Sequence, residues 1–520
     1  MILFFFLTVL LPTIFANEPV VVHTQYGDIL GYQTNLSRVF YGIPFAQPPV
    51  GPLRWEAPVP VVRWAPKMVN ATQPPSACPR PKRTTRSTTR TPFGMSEDCL
   101  YLNIFTPLSG DVPSTDLLPV MLFIHGGDFQ FGAATESMYK SELLVNNTNI
   151  IIALIQYRLG VLGFLATGNN PNDIKGNYGI LDQRLAIAWV KNNINAFGGD
   201  PNQITLFGQS AGAQSTALHY VTKDMQPYFQ RAIIQSSPLT IPFRTYLENI
   251  TPTVLLAEQL LCSPNNLSCF RTRSTDEITA AQAIVNKKIT SLNALFFFEP
   301  WLPVIDNEIV HGSLMSMIQN ASFSLKPLVI GTVTEECYDF VYTTWHKNVT
   351  ISEYIAFAVG LFGEKSLKVL EHYPPTASVD QRPTLVRMAT HWVFSCSTRV
   401  LARKAATYSY VFGYPYNTLN SLNCKDHACH ADELPYIFQS FWDRFTDVGR
   451  YISHGMATYW TNYAKSENPN EPSSVPVSWP KYTSGNETYV YIQNPFQVEE
   501  NYLKDDCDLW DQIGYKASVI

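Results

Sequence analysis

The pentapeptide Gly208-Gln209-Ser210-Ala211-Gly212 sets a serine between two glycines, directly after the apolar run ITLF at residues 204–207. A hydroxyl in that position can serve as a nucleophile. Glycines on both sides let a strand turn sharply into a helix and leave the side chain clear of the backbone. Alone, such a match arises by accident in roughly one chain in six of this length at ordinary glycine and serine usage. The setting is more informative, because AGAQSTALHYV reads as the helix that a strand-to-helix elbow requires. Serine Oγ is a poor nucleophile until an imidazole accepts its proton. The imidazole in turn needs a carboxylate to fix its tautomer and steady its charge.

Donors for a developing oxyanion come first. The turn Ile124-His125-Gly126-Gly127-Asp128-Phe129 follows the apolar stretch PVMLFI. Its backbone N–H groups, with that of Ala211, can converge on an oxyanion, each donor being worth about 3–4 kcal/mol. In a fold with this elbow the acid and then the histidine follow the serine. GTVTEECYDF, after the apolar run PLVI, offers Glu335, Glu336 and Asp339. CKDHACHADELP, after YSYVF, offers His430 where a loop could deliver it to a sheet edge, with His427 its rival three residues upstream. Spacing does not choose among the three acids.

These segments need a frame to hold them. Short apolar runs at residues 119–124, 149–156, 204–207, 232–234, 327–330 and 408–412 look like buried strands. Between the second and third, GILDQRLAIAWVKNNI places Leu181, Leu185, Ala188 and Trp189 on one helical face. Buried strands alternating with amphipathic helices predict an α/β fold, with a large, mostly parallel central sheet flanked by helices. No internal repeat or long linker divides the 520 residues, so a single domain over residues 17–520 is expected.

Composition excludes some functions. Net charge is −5 and 46% of residues are hydrophobic, which allows a large core and leaves no basic footprint for nucleic acid. The one basic run, PRPKRTTRSTTRTPF at residues 79–93, reads as a solvated loop. Residues 1–16, MILFFFLTVLLPTIFA, are apolar and end in a small residue, as in a secretory signal peptide cleaved before Asn17. Eight Asn-x-Ser/Thr sequons, at Asn35, Asn70, Asn146, Asn249, Asn266, Asn320, Asn348 and Asn486, fit a glycosylated chain. Nine cysteines fit an oxidising compartment. No later stretch is long and apolar enough to span a membrane. The expectation is a secreted protein with no membrane span.

Over nearly its whole mature length the chain resembles the type-B carboxylesterase and cholinesterase family of α/β hydrolases. The likeness is carried by GIPFAQPPVGPLRW at residues 42–55, EDCLYLNI at 97–104, FGGDP at 197–201 and the elbow itself. The resemblance implies Ser210 as nucleophile, Glu336 of TEEC as acid and His430 of CHADELP as base. It also implies the amides of Gly127, Asp128 and Ala211 as oxyanion donors, and hydrolysis of a small ester through an acyl-enzyme without cofactor or metal. It further implies the disulfides Cys78–Cys99, Cys262–Cys269 and Cys396–Cys507. Cys424 and Cys429 are close enough in sequence to pair just before His430, which leaves Cys337 as a buried, unreactive thiol.

Three positions depart from the family pattern. Asp128 stands where a third glycine is usual, and its carboxylate is expected to turn away from the oxyanion. Gln209 stands where glutamate is common, and Thr89 where cholinesterases carry a choline-stacking tryptophan. A quaternary ammonium needs an aromatic face, and Arg86 and Arg90 would repel it, so neutral esters are the expected substrates. LFFFEPWLPVID resembles the family's acyl-pocket wall, and its Phe297, Phe298 and Glu299 read equally as that wall or as plain core packing. A lipase-like esterase for longer acyl chains, and a catalytically silent adhesion-type relative, are the competing readings.

Overall fold

The six apolar runs form strands because both of their faces are covered. The structure, a computed structural model, describes residues 18–81, 93–108, 117–289, 299–405, 407–416 and 424–517. The expected leader, the centre of the basic run with Thr89, Arg86 and Arg90, and Phe297 and Phe298 lie outside the described residues. Among the described residues thirteen strands make one sheet. In chain order they are β1 (Glu18–Thr24), β2 (Gly27–Gln33), β3 (Ser37–Pro44), β4 (Met68–Asn70), β5 (Tyr101–Pro107), β6 (Leu118–Ile124), β7 (Ile151–Ile155), β8 (Gly199–Gln209), β9 (Arg231–Gln235), β10 (Leu328–Val333), β11 (Thr407–Phe412), β12 (Thr488–Ile492) and β13 (Gln497–Glu500).

The order across the sheet is β1-β2-β3-β5-β7-β6-β8-β9-β10-β11-β12-β13, with β4 paired to β2. From β7 to β12 every neighbouring pair is parallel. Antiparallel strands extend the sheet at both edges. Successive side chains of a strand point to opposite faces, and the core divides accordingly. Leu122, Ile124, Ala153, Leu206 and Ile234 pack on one face, while Met121, Phe123, Leu154, Phe207 and Ile233 pack on the other. Burial on both faces is why these strands read as continuous apolar runs.

Three details differ from what the sequence suggests. In helix α1 (Tyr178–Asn193) the buried residues include Ile180, Asp182, Gln183, Ala186, Ile187, Trp189 and Val190, whereas Leu181, Leu185 and Ala188 are only partly buried. The face is turned because Asp182 is drawn inside by Arg158, which it meets at 2.7 Å. The basic run begins buried: Arg80 is 7% exposed and faces Glu136 at 3.5 Å, so its solvated character does not extend to residue 80. Among the sequons, Asn249 is 3% exposed and its amide nitrogen donates to the Thr245 carbonyl at 3.1 Å. It is therefore closed to a glycan in the folded chain, while the other seven asparagines are exposed.

Candidate active site

Parallel strands collect their loops at one edge, and the loops after β6, β8, β10 and β11 carry the residues in question. Ser210 follows β8 with φ 59° and ψ −128°, a strained conformation for a residue with a side chain, and begins helix α2 (Ala211–Tyr220). The flanking glycines make the close approaches possible. A Cβ on Gly212 would lie 2.0 Å from the Ile124 carbonyl oxygen, and one on Gly208 would lie 2.3 Å from that of Gly212. Gly126 presses on the elbow as well: its Cβ would fall 2.8 Å from that of Ser210. The turn after β6 thus lies against the serine. Among the described residues no acceptor engages the N–H of Gly127 or Ala211.

The candidate acids and histidines fall into two pairs. His430 Nδ1 meets Glu336 Oε2 at 2.5 Å, in a setting where Glu336 is fully buried and the His430 side chain is 10% exposed. The Val333 N–H donates to the other carboxylate oxygen of Glu336 at 3.0 Å. His427 instead meets Glu335 at 2.8 Å, nearer the surface, and stacks on Tyr338 of helix α3 (Tyr338–Thr344). The two loops are joined by a backbone bridge between Glu335 and Cys429. A disulfide between Cys424 and Cys429 closes the loop that precedes His430, and bonds Cys78–Cys99, Cys262–Cys269 and Cys396–Cys507 are also present. Cys337 is free and buried.

Burial alone would push His430 down, but the charge of Glu336 and its hydrogen bond, with Glu433 and Asp128, carry it above its ordinary value. Glu433 is pushed up to about 7, first by burial and then by the charge of Glu336. Asp128 takes φ 56°. Its carboxylate, expected to turn away, still reaches the site electrostatically, since its charge helps raise both Glu299 and His430. Glu299 is 2% exposed and accepts from Gln214 Nε2 at 3.0 Å. Burial, then the charge of Asp128, lifts its carboxyl to about 8, so it is largely neutral at pH 7. His125 is held neutral as well, down at about 4 through burial, stacked on Tyr157. Among the described residues no cluster of His, Cys, Asp or Glu could hold a metal ion.

Some of this environment was not visible in the sequence. Phe340 and Phe394 flank the His430 ring at 5.3 and 5.1 Å. Phe394 lies in a π-helical turn at Thr390–Ser395 whose apolar content looks like ordinary core. Gln209 Nε2 sits 3.1 Å from His430 Nε2. Its one advance signal was its place beside the serine.

A serine on a strained elbow, an adjoining glycine turn with open N–H groups, and a buried Glu–His pair beside it define the α/β-hydrolase class. The chain belongs to the carboxylesterase family, whose model matches residues 18–510. It is similar to the cAMP-regulated D2 protein of Dictyostelium discoideum, 34% identical over 96% of this chain and 94% of that protein. It is also similar to the para-nitrobenzyl esterase of Bacillus subtilis, 31% identical over 92% of this chain and 96% of that one. Among solved structures, a PNB esterase superposes with TM-score 0.81 at 29% identity, over 94% of this chain and 99% of the other.

Proposed function

We propose that this protein is a secreted serine carboxylesterase that hydrolyses neutral carboxylic esters through an acyl-enzyme. The observation that carries the reading is the 2.5 Å contact between His430 Nδ1 and Glu336 Oε2, at the loop edge where Ser210 stands. With Nδ1 protonated toward the carboxylate, Nε2 is left as the basic nitrogen. It takes the proton of Ser210 Oγ as that oxygen bonds to the ester carbonyl carbon. The carbonyl oxygen becomes an oxyanion facing the N–H groups of Gly127, Asp128 and Ala211. Collapse breaks the C–O bond to the alcohol, which leaves with the proton from His430. Water then repeats the sequence on the acyl-enzyme, and the carboxylic acid departs.

A neutral-ester preference is supported by the uncharged Gln209 beside the nucleophile, and it makes choline esters poor substrates here. The four disulfides and the apolar N-terminal run support passage through an oxidising, secretory route. Among the described residues no helix is long and apolar enough to cross a membrane.

The test is Ser210→Ala, assayed on p-nitrophenyl acetate with circular dichroism as a folding control. A folded variant with hydrolysis at background is expected. Turnover at the native rate would remove the serine from the mechanism.

A further inference from the structure

Gln209 lies beside the proposed chemistry, and the reaction does not use it. It ends β8, is 3% exposed, and pairs in register with Gln235 of β9. Its amide Nε2 lies 3.1 Å from His430 Nε2. The tautomer of the ring settles the direction of that bond. Nδ1 faces a carboxylate oxygen at 2.5 Å, so the proton of the neutral imidazole sits on Nδ1 and Nε2 offers only a lone pair. Gln209 therefore donates and His430 accepts. An imidazole nitrogen has a single in-plane lone pair, so it cannot accept from a second donor at the same time. Consistent with this, among the described residues no group hydrogen-bonds Ser210 Oγ.

We propose that Gln209 is a latch on the base. In the resting protein its amide occupies the lone pair of His430 Nε2, and turnover begins when the amide yields that lone pair to Ser210 Oγ. The inference rests on the serine-esterase reading above. It depends on glutamine in particular: a glutamate at this position has no N–H to give and could engage only the protonated ring. The other groups acting on His430 are the charges of Glu336, Glu433 and Asp128 and the rings of Phe340 and Phe394. Glu336 engages the other ring nitrogen, Glu433 accepts from Gln235 Nε2 at 3.1 Å, and the two rings carry no N–H or O–H to give.

The test compares the full-length protein with Gln209→Met, which keeps length and removes the donor, and Gln209→Glu, which keeps shape and reverses the polarity. Two readouts are taken. One is the titration of the His430 imidazole by NMR of histidine-labelled protein, which needs no activity. The other is kcat/KM for p-nitrophenyl acetate across pH. Losing a donor that favours the neutral ring should raise the His430 midpoint in Gln209→Met by about half a unit to one unit, the size of one neutral hydrogen bond. The plateau kcat/KM should rise about three- to tenfold as Ser210 gains the free lone pair. Gln209→Glu should raise the midpoint further, by about a unit or more, through its charge. A midpoint unmoved in both variants overturns the proposal, and so does a raised midpoint in Gln209→Met with a plateau that stays flat or falls. If the native protein hydrolyses no ester, the esterase reading fails and the latch fails with it, while the titration still reports whether Gln209 touches the base.

Discussion

In the proposed mechanism His430 must be neutral to act, which sets a lower limit on working pH, and at the residue scale that limit follows from the neighbours of the ring. Burial favours the uncharged ring, but the charge of Glu336 and its hydrogen bond, reinforced by Glu433 and Asp128, outweigh it and lift the histidine above its ordinary 6.5. The raised value stabilises the protonated, inactive form. Under the proposed mechanism, activity should be complete on the alkaline side and be lost as pH falls through a midpoint above 6.5. A pH profile of kcat/KM on an uncharged ester checks this directly. An acid limb at 6.5 or lower would mean that burial and the Gln209 amide together outweigh the carboxylates. Pairing separates the two adjacent acids: Glu336 is fully buried against His430, while Glu335 stays part-exposed with His427.

At the scale of elements, the site is built by how closely the turn after β6 can approach the first turn of α2. Gly212 is the contact point, since a Cβ there would sit 2.0 Å from the Ile124 carbonyl oxygen and 2.7 Å from that of His125. Both obstacles are backbone, which has no rotamer to give. Gly212→Ala should force the helix away from the turn, lowering kcat/KM at least about a hundredfold, as misplacement by about an ångström does. Gly360, in the helix Ile351–Phe362, is the matching control. A Cβ there meets nothing within 4 Å, so Gly360→Ala should stabilise the protein by about 1 kcal/mol with activity intact. Paired thermal melts and assays separate the two cases, and equal effects would deny the contact its importance.

The same elements explain how far the sequence could be read. The parallel strands β6 to β11 were legible because burial on both faces makes them uninterrupted apolar runs. The antiparallel edge was not: β1, with sequence EPVVVHT, is largely exposed, and β13, with QVEE, is nearly all polar. Such strands owe their existence to pairing with neighbours already in place, a tertiary effect that local pattern does not carry. The elbow was legible because its glycines and serine act locally. The acid and the base were narrowed to short segments but not to single residues, since a choice between His427 and His430 depends on which ring the loop turns inward. Only the family resemblance carried that choice in advance.

Across the whole molecule, the edge strands and outer helices have to be kept on a core whose site depends on loops far apart in sequence. The C-terminal helix α4 (Lys504–Ile513) is the main clasp. Cys507 on this helix bonds Cys396, closing a span of 111 residues that contains β11, His430 and β12. Beside it Asp506 meets His372 at 3.0 Å and His391 at 3.3 Å, and Asp511 meets Arg399 and Arg403 at 3.0 and 2.8 Å. A cross-link over so long a loop restricts the unfolded chain strongly, so replacing both cysteines by serine should cost about 2–5 kcal/mol in guanidine unfolding at pH 7. The ion pairs should still hold the helix there, leaving the proposed esterase activity close to native. Acid then exposes the difference. Burial opposes ionisation of Asp506, but His391 and His372 hold it down at about 2, against an ordinary 3.8. Arg399 and Lys504 hold Asp508 at about 2 as well. Depressed carboxylates stabilise the fold above their ordinary value and lose that contribution as pH falls from about 4 toward 2. In that window the serine variant, with no covalent clasp left, should unfold at a distinctly higher pH than the disulfide-bonded protein. If the two chains unfold in acid at the same pH, the last helix is held chiefly by its apolar packing around Trp510 instead.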